Sequence, residues 1–139
     1  MSFIRVIVSS WLPRKKFTAM TVLPFIFIRR ENQYKYTEKV ERHEYTHAMQ
    51  QLECLILGIL IALMLFCFDC RWYSLIPLGL FYEIYGLEFI IKLPMCHYDS
   101  TLAYLSISFE QEAYQNQGNP RWLDTRPAFY WRHFITTLA

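Results

Sequence analysis

The sequence predicts a mainly α-helical protein built on a transmembrane hairpin of two apolar helices, with a short β-hairpin near the N-terminus. Three observations predict this class. Residues 54–68 contain no charged residue, residues 72–93 form a second apolar segment, and residues 100–117 carry apolar side chains at the 3–4 spacing of a helix. A chain of 139 residues is too small to bury two such segments in a water-soluble core, so lipid is their expected surrounding.

The composition supports one membrane-associated domain over residues 1–139. Hydrophobic residues make up 54% of the chain and charged residues 19%, and the net charge is only +2. So small a charge, without a basic-aromatic motif, excludes nucleic acid as an expected partner. The lipid bilayer is the partner that the composition favours.

The four cysteines do not indicate a disulfide framework. Cys67 and Cys70 form a C-x-x-C pair, but the chain has no second pair and no redox context around it. Reduced thiols are therefore expected.

Residues 18–29 predict the β-hairpin. They are rich in β-branched and aromatic residues, and Pro24 divides them into strands at about 18–22 and 25–29. A strand with a free edge can hold an extended peptide. The alternative is an apolar connector lying on the membrane surface.

A long helix is predicted from Thr37 to Phe68. Thr37 is a good N-cap, and Glu38 and Glu41 lie near the positive end of the helix dipole. Its apolar part, about residues 50–69, is the first hydrophobic helix of the hairpin, and residues 72–93 are the second. Glu83 and Glu88 interrupt this second helix and are expected to face the partner helix or a watery cavity.

The basic residues predict the orientation of the hairpin. Nine of the 14 Lys and Arg residues precede it, and Arg71 alone lies in its turn. The other four come at or after the end of the second helix. The positive-inside rule then places both termini in the cytoplasm, and with them the polar start of the long helix.

That polar start contains the motif H-E-x-x-H at residues 43–47. On a helix, His43 and His47 lie one turn apart on one face, so that both imidazoles can bind one Zn²⁺ ion. Glu44 lies beside them and can accept a proton from zinc-activated water. The alternative is a solvated helix start without a chemical role.

A catalytic zinc site needs a third protein ligand. The side chains considered as that ligand are Glu110, Glu112, His97, Glu83 and Glu88. Tyr98, Tyr104 and Tyr114 are candidate hydrogen-bond donors to a developing oxyanion, and the spacing does not choose among them.

The downstream segment at residues 109–114, Phe-Glu-Gln-Glu-Ala-Tyr, carries a resemblance. H-E-x-x-H followed by E-x-E-A is similar to the gluzincin metallopeptidases, in particular to the membrane enzymes that process prenylated proteins and to the heat-shock-type membrane metalloproteases. The resemblance implies a zincin-like pair of metal-site helices. It also implies His43, His47 and Glu110 as zinc ligands and Glu44 as the general base.

The chain departs from this family at Tyr114, where the family usually has an Asp that orients a ligand. Further accessory residues of the expected metal site are Glu112, His97, Tyr104 and Tyr114. Most of the chain also resembles a group of very small bacterial membrane proteins. This likeness, carried by residues 25–29, 43–53 and 103–114, implies no established activity but is consistent with a bacterial inner-membrane location. The positive-inside rule then predicts that the metal site lies on the cytoplasmic side.

The sequence thus leads to two functional hypotheses. The first is a membrane-anchored zinc metallopeptidase that hydrolyses peptide bonds of a peptide or membrane-protein substrate with zinc-activated water. The second is a zinc-stabilised integral membrane protein without turnover, acting as an interaction partner or an inactive relative. A plain two-helix membrane protein with a fortuitous motif is the remaining alternative.

Overall fold

The computed structural model describes residues 4–68 and 71–139. The described chain is mainly helical, with a small sheet, as the sequence predicts. It divides into two compact units, Met1–Met49 with Glu112–Pro127, and Gln50–Gln111 with Ala128–Ala139. Asp69 and Cys70 lie outside the described residues. Of the C-x-x-C sequence, the expectation of reduced thiols is therefore outside them for Cys70.

The first unit contains a sheet of order β1-β3-β2. The predicted strands are present as β2 (Ala19–Val22) and β3 (Phe25–Arg29), which pair antiparallel. β1 (Arg5–Ser9) was not predicted, and it pairs parallel with β3. A 3₁₀-helix follows over Arg30–Lys35.

The long helix α1 spans Glu38–Cys67, within one residue of its predicted bounds at each end. Its first turns pack on the sheet, because the small side chain of Ala48 joins the buried cluster formed by Ile26 and Ile28. This packing places the H-E-x-x-H motif beside β2.

The second unit contains the apolar part of α1 and the second apolar segment. That segment begins as a 3₁₀-helix over Arg71–Gly79, which contains Pro77, and continues as α2 (Leu80–Met95). Proline lacks the N–H that an α-helix needs, which accounts for the irregular start. Gly58 on α1 lies against the backbone of Pro77, and an added Cβ would collide with the Pro77 carbonyl oxygen.

Two helices among the described residues, Glu38–Cys67 and Arg71–Met95, are long and apolar enough to cross a membrane by length and composition. In each, only 22% of the most apolar 18-residue window is buried. Large apolar side chains point outward along both, among them Ile56, Leu60, Leu63, Phe66, Leu75, Leu87 and Ile90.

The predicted helix over residues 100–117 is two helices, α3 (Ser100–Leu105) and α4 (Ser108–Asn116). The break has a cause outside the segment. Glu88 on α2 accepts hydrogen bonds from the backbone N–H of Ser108 at 2.8 Å and from its hydroxyl at 2.5 Å. A buried carboxylate thus caps the N-terminus of α4, where backbone N–H groups have no partner within the helix.

The remaining elements are α5 (Trp122–Thr125) and a 3₁₀-helix over Tyr130–Phe134. In the second unit, Trp131 packs on Phe109 at the centre of a buried cluster, with ring centroids 4.7 Å apart. Cys54 belongs to the same cluster, where it packs as a small hydrophobic residue. Cys96 is also buried. Cys67 is exposed.

Candidate metal centre

The two histidines of the motif lie one turn apart on α1, as the helical spacing predicts. Their Nε2 atoms are 3.0 Å apart, and their rings meet edge to face with centroids 4.7 Å apart. Both side chains are buried. In the absence of an ion this distance suits an N–H···N hydrogen bond, and it is also close to the separation of two ligands on one ion.

Glu110 lies in the first turn of α4 and is 3% exposed. The hydroxyl of Tyr85 on α2 donates a hydrogen bond to Glu110 Oε1 at 2.8 Å. The side-chain amide of Gln50, one turn beyond His47 on α1, donates to the carbonyl oxygen of Phe109 at 3.0 Å. This bond holds the start of α4 against the face of α1 that carries the histidines.

Tyr114 lies one turn beyond Glu110 on the same face of α4. Its ring contacts the ring of His43, with centroids 4.5 Å apart. Tyr114 therefore contacts one of the predicted zinc ligands through its ring.

Among the described residues, His43, His47 and Glu110 form the one buried group that could hold a metal ion, with ligand atoms all within 4.8 Å of one another.

Glu44 is buried, and the hydroxyl of Thr21 on β2 is placed to donate to it. Thr21 Oγ1 lies 2.7 Å from Glu44 Oε2 and 3.1 Å from the Glu44 carbonyl oxygen. The sheet thus fixes the carboxylate of the predicted base. The sequence carried no signal for this contact, because the two residues are 23 positions apart.

Glu112, an accessory candidate, is fully buried and has a different environment. Its two oxygens accept hydrogen bonds from Arg126, at 2.5 Å from Nε and 3.2 Å from Nη2. A guanidinium that binds both oxygens neutralises the carboxylate in a fixed geometry. Glu112 therefore acts in the packing of the first unit, and it is not in the group with the histidines.

The other candidates lie elsewhere. His97 is exposed just after α2, with a positive φ of 52°. Tyr98 is also exposed, and Tyr104 is half-buried against the cluster around Phe109. None of the three is in the histidine group that the described residues form.

The two carboxylates of the second helix also differ from each other. Glu88 is buried, as expected, and forms an ion pair with Lys92 at 3.1 Å in addition to capping α4. Glu83 is exposed. Because α2 turns by about 100° per residue, five positions carry the two side chains to different faces of the helix.

Tyr36, which precedes α1, is affected by the negative charge of Glu44. Burial, and after it the negative charges of Glu41 and Glu44, raise the pKa of the Tyr36 phenol above its ordinary value. The pKa shift therefore keeps Tyr36 protonated and neutral to a higher pH than an ordinary tyrosine.

Comparison with protein-family models, with curated proteins and with solved structures gave no match for the chain.

Proposed function

We propose that the chain is a membrane-anchored zinc metallopeptidase, with His43, His47 and Glu110 as the zinc ligands and Glu44 as the general base. One observation carries the proposal. Two imidazoles and one carboxylate, all buried, have ligand atoms within 4.8 Å of one another, and a second buried carboxylate, Glu44, adjoins His43 on α1.

The donor set fits zinc. Two nitrogens bound to one tetrahedral zinc ion lie about 3.3 Å apart, and the Nε2 atoms of His43 and His47 are 3.0 Å apart. Two histidines with one glutamate are the set of several hydrolytic zinc sites, which leave a fourth position for water or substrate. A bound zinc ion supplies a Lewis acid that polarises a carbonyl group and activates water.

The chain's own residues supply the proton transfer. Glu44 takes a proton from the attacking water and returns it to the leaving amine. Thr21 keeps the Glu44 carboxylate in one orientation by its 2.7 Å contact. Tyr85 does the same for the ligand Glu110 at 2.8 Å, so both acidic groups are preorganised.

A peptide or a segment of a membrane protein is the proposed substrate. β2 pairs with β3 along one edge, and its other edge is not paired with any strand of residues 4–68 or 71–139. Thr21 on this strand lies against Glu44. An extended peptide that adds to the open edge would therefore run past the proposed base.

We also propose that the apolar part of α1, from about residue 50 to Cys67, and the segment Arg71–Met95 form a hairpin across the bacterial inner membrane. The outward apolar side chains of both helices support lipid as their surrounding, because a helix in the core of a soluble protein is mostly buried. The absence of a side chain at Gly58 supports close packing with the second segment at Pro77. The excess of Lys and Arg outside the turn supports a cytoplasmic metal site.

The test is the zinc content of the detergent-purified protein and its cleavage of a peptide library. The wild type is expected to hold one zinc ion and to cleave. Glu44→Gln is expected to keep the metal and to lose 10²-fold or more in rate, roughly the contribution of a general base. Glu38→Gln is the matched control, because Glu38 lies in the same helix with its side chain 89% exposed, and it should retain full activity.

A wild-type protein that holds zinc without cleaving any peptide would overturn the enzyme proposal. It would favour the zinc-stabilised membrane protein, for which the packing of Tyr114 on His43 is the supporting contact. In that case His43→Ala lowers the melting temperature, while Glu44→Gln leaves the metal content unchanged and has no cellular phenotype.

A further inference from the structure

The N-terminal part of the first unit exposes large apolar side chains that the proposed peptidase does not use. Trp11 is 89% exposed, and five further apolar residues of this segment are also exposed: Val6, Ile7, Val8, Leu12 and Phe17. Successive strand residues point to opposite faces, so β1 presents apolar side chains on both of its faces. We call β1 and residues 10–17 the N-terminal surface.

The backbone of this surface is held in place although its side chains are exposed. Ser9 Oγ accepts hydrogen bonds from the backbone of Trp11 at 3.1 Å and Leu12 at 3.3 Å. The buried guanidinium of Arg29 donates to the carbonyl oxygen of Pro13 at 2.8 Å. The loop therefore presents Trp11 in a defined position, with little ordering cost on binding.

The charge of the same region has one sign. Residues 1–30 contain six cations and no acidic residue, the cations being Arg5, Arg14, Lys15, Lys16, Arg29 and Arg30. Of these, Arg29 is buried and paired with Glu31, and the other five are exposed. The apolar side chains are thus interspersed with exposed positively charged side chains.

We propose that the N-terminal surface docks on the anionic headgroups of the lipid bilayer, with Trp11 inserted at the interface. Trp is favoured at the membrane–water boundary, and exposed Lys and Arg are attracted to anionic leaflets. A second copy of the chain is a poorer occupant of this surface, because it would bring two sets of cations together. The inference rests on residues 4–30 and is independent of metal binding and of hydrolysis.

The experiment uses the full chain in nanodiscs whose lipids carry brominated acyl chains, which quench tryptophan on contact. The discs contain phosphatidylcholine alone or phosphatidylcholine with phosphatidylglycerol. The Trp11 signal is the difference between the wild type and Trp11→Phe, which removes the contributions of the other three tryptophans. We expect this difference to be quenched in the anionic discs, less in the neutral discs, and less again as salt is added.

Lys15→Glu with Lys16→Glu tests the charge term. Each lysine charge that is lost should lower the docking equilibrium about fivefold, and each glutamate charge that is added should lower it further. Lys39→Glu, an exposed lysine at the start of α1, is the matched control and should leave the Trp11 signal unchanged.

Trp11 quenching that is absent in anionic discs, or equal in both lipids and insensitive to salt, would overturn the proposal. An emission shift of Trp11 that depends on protein concentration instead of lipid would overturn it in favour of self-association. Glu44→Gln protein should behave as the wild type, so a missing peptidase activity has no bearing on the result. If the protein does not enter discs, the proposed hairpin fails, and brominated vesicles added to the soluble protein provide the same Trp11 measurement.

Discussion

The two halves of α1 differ in which side chains are buried and which are exposed. Between residues 43 and 53 the buried side chains are mostly polar or charged: His43, Glu44, Thr46, His47, Gln50, Gln51 and Glu53. Between residues 56 and 66 the exposed side chains are apolar: Ile56, Leu57, Ile59, Leu60, Leu63, Met64 and Phe66. One continuous helix thus buries polar side chains in its first half and exposes apolar side chains in its second half. The reversal supports two different surroundings for the two halves, water and lipid.

Each buried polar group of the first half needs a partner, because burial without a hydrogen bond costs about 1–3 kcal/mol. Thr46 donates to the carbonyl oxygen of Arg42, and Gln50 donates to that of Phe109. Glu53 accepts from the backbone N–H of Phe129 at 3.0 Å. The polar interior is therefore a set of specific contacts, and single substitutions should damage it more than they damage an ordinary surface.

The largest effect is expected where a buried charge loses its partner. Arg126→Ala leaves Glu112, which is fully buried, without its guanidinium, and should lower the free energy of unfolding by about 3–5 kcal/mol. Denaturant unfolding in detergent measures it. Glu38→Ala removes the carboxylate of an exposed ion pair with Arg42 and should change stability by about 0.5 kcal/mol or less. Equal effects of the two substitutions would contradict a buried Glu112 that depends on Arg126 for its partner.

The next effect tests the exterior of the second half. Leu60 is 60% exposed, so Leu60→Lys would be nearly neutral on a helix facing water. On a helix facing lipid it should cost about 2.5–3.5 kcal/mol of insertion free energy. The fraction of protein that resists alkaline extraction from membranes measures this difference. Leu60→Met is the control that retains an apolar side chain, and a Leu60→Lys protein that inserts as well as Leu60→Met would contradict a lipid-facing helix.

The sequence was sufficient for features that depend on neighbours along the chain. The N-cap signal and the apolar run predicted α1 to within one residue at each end, and Pro24 separated β2 from β3. The spacing of His43 and His47 follows from helix geometry alone. Glu110 could be singled out among five candidate ligands only through the E-x-E-A resemblance.

Contacts between distant segments left no local pattern. The hydrogen bond from Thr21 to Glu44 joins residues 23 positions apart, and the one from Tyr85 to Glu110 joins residues 25 positions apart. The parallel pairing of β1 with β3 depends on a crossover, and its five residues were too few to distinguish a strand from another apolar patch. The break between α3 and α4 depends on Glu88, which no periodicity within residues 100–117 reveals.

The smallest effect at neutral pH is expected at Tyr36, beside the acidic start of α1. Its hydroxyl is buried and has no hydrogen-bond partner among the described residues, so Tyr36→Phe should change the free energy of unfolding by about 1 kcal/mol or less. The two proteins should diverge at high pH. Burial, with the charges of Glu41 and Glu44, raises the pKa of Tyr36 in the folded protein above the ordinary value of 10.0.

Because the pKa of Tyr36 is raised by folding, its contribution is complete below pH 10.0 and is lost as the pH rises above that value, where the unfolded chain ionises first. Above pH 10.0 the wild type should therefore lose stability more steeply than Tyr36→Phe. Denaturant unfolding across the alkaline range measures the difference, in which the other nine tyrosines cancel. Glu44→Gln should reduce this difference, because it removes one of the charges that hold Tyr36 protonated. Parallel pH profiles for wild type and Tyr36→Phe would contradict a buried phenol beside the proposed base, and would place Tyr36 in contact with water.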